Sequence, residues 1–351
     1  MRQFHKKLAE KIDIIIITLL TLLCLPLFSG RTFSQVKFSG YTYFDYYYVV
    51  KNHNKKIEDQ NGFWFRRIYL TMDNKLNEVL SIRVRTEFNS PGDFTTKDKL
   101  IPFIKDVYLK LEHKNQSIIF GISPTPTYEV IEEVWGYRSV EKTPLDLQKF
   151  SPSRETGIAF MGTLDSKKIV NYHLMFANGN GESSENNKGK EILFALTIRT
   201  ISRLIIEGYL DYDNRTNGNE WNTQQGFIGY KTNEFRSGLQ YSHQNRKASS
   251  TANKIGYDIF SFFMVGNLSP NVSGFLRFDR NFDANPDGAK ISYLPFDPSS
   301  ASKLFIVGLD FSPNKDVHII PNAEIVNYDS PNSGPKPNSD FIPRLTIYYI
   351  F

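Results

Sequence analysis

Between Val79 and Phe88 the chain alternates with a period of two: Leu80, Ile82, Val84, Thr86 and Phe88 fall on one side, and Ser81, Arg83, Arg85 and Glu87 on the other. A strand that is apolar on one face and charged on the other needs two different environments. A soluble sandwich buries the apolar face against a second sheet, whereas a membrane barrel turns it to lipid and the charged face to a watery lumen. The connections between strands separate the two possibilities. Period-two segments recur at 36–50, 62–73, 79–88, 103–113, 117–122, 154–164, 168–177, 190–200, 203–212, 223–231, 235–243, 254–266, 271–282, 302–312, 316–327 and 340–351. The links between them alternate throughout, from a long 51–61, a short 74–78, a long 89–102 and a short 114–116 to a short 313–315 and a long 328–338. Short turns at one rim and long loops at the other are the pattern of a transmembrane barrel, with the turns on the periplasmic side. Because the first and last links are both long, the strand count is even and both ends of the barrel segment are periplasmic. The predicted fold class is all-β: an antiparallel transmembrane β-barrel of about 16 strands, wide enough for an aqueous channel.

The N-terminus supports that compartment. Arg2, Lys6, Lys7 and Lys11 precede an apolar run from Ile14 to Phe28, followed by small and hydroxyl residues around Ser34. That order reads as a secretory signal peptide cleaved after Ser34, leaving 35–351 as one barrel. The run falls short of the roughly 20 residues of a spanning helix, although an uncleaved anchor is the alternative. Cys24, the single cysteine, lies in this leader, so the mature chain is expected to have no disulfide, thiolate nucleophile or cysteine metal site. The leader also carries part of the formal +5 charge. With no basic stripe interleaved with stacking aromatics elsewhere, nothing points to nucleic acid.

The final segment places Phe341, Leu345, Ile347, Tyr349 and Phe351 on one face and ends on an aromatic. An uncovered apolar edge is a liability in a soluble protein. It resembles the terminal strand of outer-membrane barrels, which implies that Phe351 is an assembly signal and the barrel-assembly machinery a partner. Pro343 departs from that pattern, since proline lacks a ladder donor and suits a bulge or strand start. Phe65-Arg66-Arg67-Ile68-Tyr69-Leu70, Val107-Tyr108-Leu109-Lys110, Phe120-Gly121-Ile122-Ser123-Pro124-Thr125-Pro126 and Gly308-Leu309-Asp310-Phe311-Ser312-Pro313-Asn314-Lys315 resemble the phosphate-selective porin family. The resemblance implies a homotrimeric outer-membrane pore passing small hydrophilic solutes or inorganic anions by passive diffusion, embedded in membrane lipid and needing no cofactor. It does not fix the solute, because the predicted lumen shows no dense run of arginine and lysine.

The third long link, 123–153, is long enough to demand a function. It holds Glu129, Glu132, Glu133, Trp135 and Arg138, and its apolar residues Val130, Ile131, Val134, Leu145, Leu147 and Phe150 call for packing against something. We expect it to fold into the barrel and narrow it. By parity Arg67, Arg83, Arg85, Glu87, Lys110, Arg277, Asp279 and Arg344 face the lumen, and charge there sets ion preference. Arg66 falls on the outward face and is expected to snorkel. Tyr41, Tyr43, Phe44, Tyr46, Tyr47, Tyr48, Phe63 and Trp64 are expected in the interfacial girdles, with some tyrosines of the first strand turned inward.

Asp283, Asn285, Asp287 and Gly288 follow the opening of a calcium loop, but Leu294 stands where the bidentate glutamate belongs, so an Asx and glycine turn is favoured over a metal site. His53, His113, His173, His243 and His318 are scattered without metal spacing, and no nucleophile motif accompanies them. An enzyme is therefore not expected. The rival functions are a plugged structural or secretion-associated barrel that binds a protein partner and, more remotely, an outer-membrane hydrolase.

Overall fold

A computed structural model describes residues 36–97, 99–216 and 218–351. The leader 1–34 and its cleavage point lie outside the described residues. Among these, sixteen strands form one sheet: β1 (Val36–Tyr48), β2 (Asn61–Lys75), β3 (Leu80–Asn89), β4 (Ile101–His113), β5 (Gln116–Pro124), β6 (Arg154–Thr163), β7 (Val170–Ala177), β8 (Lys190–Arg199), β9 (Leu204–Arg215), β10 (Asn219–Lys231), β11 (Phe235–Lys247), β12 (Lys254–Ser269), β13 (Val272–Asn281), β14 (Ser302–Asn314), β15 (Val317–Tyr328) and β16 (Asp340–Ile350). Each pairs antiparallel with its sequence neighbours, and β1 meets β16 from Tyr41–Ile350 to Tyr47–Arg344, closing the barrel. Closure leaves no unpaired edge, which is what lets a sheet sit in hydrocarbon.

The strand ends match the hydropathy pattern to within about four residues. The largest gaps are at the external ends of β10 and β11, where 219–222 and 244–247 continue the ladder in polar residues such as Asn222 and Asn245. Polar pairs beyond the lipid keep the backbone register but carry no apolar alternation, so periodicity cannot detect them.

Phe120, Leu210, Leu276 and Val307 stand exposed on the outside, as the lipid face requires. Two β-bulges change which residues point inward. Tyr43 pairs with Arg67 and Phe44 with Phe65, so Arg66 is the extra residue in β2; Arg85 pairs with Asp106 and Thr86 with Ile104, so Lys105 is the extra residue in β4. At a bulge two residues oppose one and the alternation of faces breaks. Arg66 and Arg67 are both buried inside the barrel, as are Lys105 and Asp106. The outward, snorkelling Arg66 expected from parity is thereby corrected. Trp64 is turned inward as well, stacked on Tyr47 at 4.0 Å, while Phe63 and Phe65 stay exposed outside. Pro343 needs no bulge on its β15 side, where Ala323 pairs with it in an unbroken register, and the β1 ladder ends one residue away at Tyr47–Arg344.

The C-terminus is tied to β1. The Gly40 N–H donates to the Phe351 carbonyl at 2.8 Å, and the Phe351 N–H donates back at 2.9 Å. The Phe351 ring lies over Gly40, where a Cβ would stand 2.5 Å from it. Phe351→Asp should therefore damage both the terminal signal and the closing seam. Outer-membrane levels of the form that runs faster unheated than boiled should fall sharply, and wild-type levels would remove the role assigned to this residue.

Candidate functional site

The segment between β5 and β6, here called L3, folds back against lumen-facing side chains. Its first helix, α1 (Glu129–Trp135), buries Val130, Ile131, Val134 and Trp135 on one side. It ends at Gly136, whose left-handed φ of 71° lets the N–H bond back to the Glu132 carbonyl. A second short helix, α2 (Pro144–Leu147), starts on a proline, whose ring suits a first helical turn.

Trp135 meets the rings of Phe263 and Phe275 edge-on at 5.3 and 5.8 Å, and Tyr137 lies 4.2 Å from Phe275. Leu147 and Val140 join Ile205, Phe227, Val265, Leu304 and Ile306 of the wall in one buried cluster. The lumen face of β9–β15 is therefore apolar where L3 covers it. A signal for this exists in β12, whose run Phe260-Ser261-Phe262-Phe263-Met264-Val265 is greasy on both faces. A strand with lipid on one side and water on the other would not be.

Polar contacts hold the loop in register. Gln225 Nε2 donates to the Thr127 carbonyl at 3.0 Å, Gln244 Nε2 to Phe150 at 2.6 Å, and Arg277 Nη1 to Lys142 at 2.5 Å. Glu133 pairs with Arg199 at 2.6 Å and Lys231 at 2.8 Å.

The deepest contact is ionic. Glu141 accepts from Arg66 at 3.1 Å and lies 3.6 Å from Arg344. Arg66 also faces Asp45 at 3.5 Å, and Arg344 binds Glu324 at 2.7 Å. All five side chains are buried. Burial alone would raise the Glu141 carboxyl; Arg66 and Arg344 more than reverse it and hold the group well below the usual carboxylate range. Arg66, placed inside by its bulge, also donates to the Val140 carbonyl.

The opposite side of L3 carries Glu132, Arg138, Lys142 and Asp146. Arg138 bridges Glu132 at 2.9 Å and Asp146 at 3.0 Å. Burial raises the Asp146 carboxyl, but Lys142, Arg138 and Arg67 hold it below its ordinary range. Facing them on the wall are Arg67 with Glu87 at 3.3 Å, Arg85 with Asp106 at 3.3 Å, Arg154 with the same Asp106 at 2.5 Å, and Lys105 with Glu182 at 2.5 Å. Arg83 forks onto Asp73 at 2.7 and 2.9 Å. Cations outnumber carboxylates on this wall.

Of the residues singled out in the sequence, Arg67, Arg85, Glu87, Glu132 and Arg138 thus come together around the space beside L3. Arg83 lies nearer the short-turn rim, where Lys110 binds Glu112 at 2.5 Å. Arg277 pairs with Asp279 under the loop, and Arg344 joins the buried clamp. Glu129 lies 3.4 Å from His173, apart from the main group. The possible calcium ligands do not converge: Asp283 accepts from the Asp258 N–H, Asn285 holds Gln148, and Asp287 pairs with Lys290. Among the described residues no group of three His, Cys, Asp or Glu side chains is set to hold a metal. Sequence parity missed Arg66 and Lys105 because bulges are invisible to it, and passed over Arg154 at the junction of loop and strand.

Solved structures share this architecture. The anion-selective porin from Comamonas acidovorans superimposes with a TM-score of 0.66 at 12% identity, covering 91% of this chain and 100% of that one. The fold is that of an outer-membrane porin. The outer membrane channel DcaP of Acinetobacter baumannii gives 0.65 at 12% identity over 92% and 99% of the two chains. In-vitro folded OmpT of Vibrio cholerae, described as a trimer form, gives 0.62 at 12% over 91% and 99%. No family model matches the sequence, and no curated protein matches it. At such identities the likeness concerns the sixteen-stranded barrel of the bacterial outer membrane, and the solute is a separate question.

Proposed function

We propose that this chain is a passive diffusion porin in which L3 narrows the lumen, so that small hydrophilic solutes and inorganic ions cross the outer membrane with anions preferred. One observation carries the proposal: L3 seals its apolar side onto the lumen wall and turns a charged side toward a wall richer in cations than in carboxylates. Fixed charge beside a narrow path selects by sign. The resemblance of 65–70 and 120–126 to phosphate-selective porins supports the same preference. A homotrimer is part of the proposal, supported by the trimer form of the Vibrio cholerae barrel.

Planar bilayers test both halves. The purified barrel should give stepwise currents and, under a salt gradient, a reversal potential on the anion side. A barrel that inserts without conducting would leave the plugged, partner-binding alternative standing, and lipid or peptide hydrolysis by the same preparation would favour the hydrolase.

Neutralising Arg83 and Arg85 together should move the reversal potential toward cations. Removing Arg83 also leaves Asp73, its bidentate partner, as an unpaired carboxylate facing the solute path. Arg85 shares Asp106 with Arg154, so that carboxylate stays paired. An unchanged reversal potential in Arg83→Gln/Arg85→Gln would place selection elsewhere.

A further inference from the structure

The wall arginines described above each face a carboxylate. Arg236 lies on the lumen side of β11 near the short-turn rim; its side chain makes no hydrogen bond or ion pair with any described residue, and its Nε is buried without a partner. Its guanidinium lies 5.6 Å from the centroid of the Tyr137 ring. It also occupies the space left by Gly136, where a Cβ would stand 2.8 Å from Nη2. L3 itself therefore positions this cation. Arg236 lines a cavity of about 300 Å³ between the underside of L3 and the rim of short turns, at the small end of ligand-site volumes. Around it are the Ser139 hydroxyl and the Asn233 and Asn267 amides, one N–H of Asn267 being given to the Asn233 carbonyl at 3.2 Å. Ser273 and Ser312 line it too; their hydroxyls donate to Asn267 Oδ1 at 3.0 Å and the Asn271 carbonyl at 3.4 Å and would turn to a bound anion. Two carboxylates also line the space. Asp310 is engaged, accepting from the Tyr137 hydroxyl at 3.1 Å and lying 3.0 Å from His318 Nδ1, and Glu234 is exposed at the rim.

Asp310 across the cavity is the nearest anion acting on Arg236 but makes no ion pair or hydrogen bond with it. A partly buried guanidinium without a carboxylate in contact is costly, and its planar fork matches the paired oxygens of an oxyanion. We infer that this cavity is a binding site for a small oxyanion, a carboxylate or phosphate group, held by Arg236 with the neighbouring hydroxyls and amides. The site deepens the porin reading: a solute that has passed L3 meets Arg236 at the periplasmic exit.

Binding is measured apart from conduction, by calorimetry on the detergent-solubilised folded barrel titrated with sodium phosphate and separately with sodium succinate, against chloride at equal ionic strength. Saturable heat with at least one of the two is expected, and which one responds identifies the group. Arg236→Gln should weaken it about tenfold or more, the scale of a lost charge-assisted hydrogen bond. Arg236→Lys should fall between, keeping the charge but losing the fork. Lys315→Gln, on an exposed turn at the same rim, should leave binding unchanged. If Arg236→Gln does not fold, protection of Arg236 from phenylglyoxal by the bound oxyanion in the unaltered barrel reads the same contact. No saturable binding by either anion, equal binding by Arg236→Gln, or an equal loss in Lys315→Gln overturns the site. Bilayer currents from the same preparation keep the outcomes separate: a conducting barrel that binds no oxyanion removes this inference alone, and a binding barrel that does not conduct removes the porin reading.

Discussion

Replacing 128–149 by a short Gly/Ser linker should raise single-channel conductance severalfold while the barrel remains heat-modifiable. The ladders that close the barrel run strand to strand and include no residue of L3, so the wall survives removal of the loop. What disappears is the plug of Val130, Val134, Trp135 and Leu147 against Phe227, Phe263 and Phe275. Uncovering those rings costs about 25 cal/mol for each Å² newly exposed to water, so a lower melting temperature should accompany the wider pore. Exposed aromatic wall can also dewet, and replacing Phe227 and Phe263 by polar residues in the linker background should then raise the current further. Single-channel recording decides the matter. Unchanged conductance would mean that L3 is not the narrowing element and that the current, if any, passes elsewhere.

Glu141→Gln should free the loop without deleting it. The carboxylate is the only loop-borne anion in the clamp of Asp45, Arg66, Glu141, Glu324 and Arg344, so its loss leaves Arg66 with Asp45 and Arg344 with Glu324 on the wall and no loop charge in the clamp. Because both arginines keep wall partners, no buried charge is orphaned, and the loss is that of the charge-assisted hydrogen bond from Arg66, about 1.5–3 kcal/mol, which falls on docking of L3. We expect faster tryptic cleavage at Arg138, Lys142 and Lys149, larger open-channel current noise, and intact heat-modifiability. Cleavage kinetics and noise identical to the unaltered protein would show that apolar packing alone holds L3. Glu132→Gln, which removes a carboxylate from the open side of the loop, should leave cleavage nearly unchanged and affect ion preference.

Much of the fold was legible because each strand reports its own environment. Alternation in Leu80–Phe88, the long and short links and the aromatic end at Phe351 all follow from a lipid side, a water side and two unlike rims, and these demands act residue by residue along the chain. The lumenal placement of Arg67, Arg83, Arg85 and Arg344 follows from the same parity. The expected inward packing of 123–153 came from the cost of leaving Ile131, Val134 and Leu147 wet, which is also a local demand.

Where parity broke, the cause was non-local. A bulge depends on how two ladders share one strand, so nothing in Phe65-Arg66-Arg67 says that both arginines turn inward; the pairing of β2 with β1 decides it. The clamp joins positions as far apart as 45, 66, 141, 324 and 344, and the vacancy beside Arg236 exists only because Gly136 and Tyr137 arrive there from another part of the chain. By itself the sequence determined a sixteen-stranded antiparallel barrel with short and long links at opposite rims, since period, link length and composition are written in neighbouring residues. Tertiary structure alone decided which charges are neutralised and which stay open to a solute, because the partner of a buried ion is set by closure of the barrel and by docking of L3, and neither leaves a trace in local sequence.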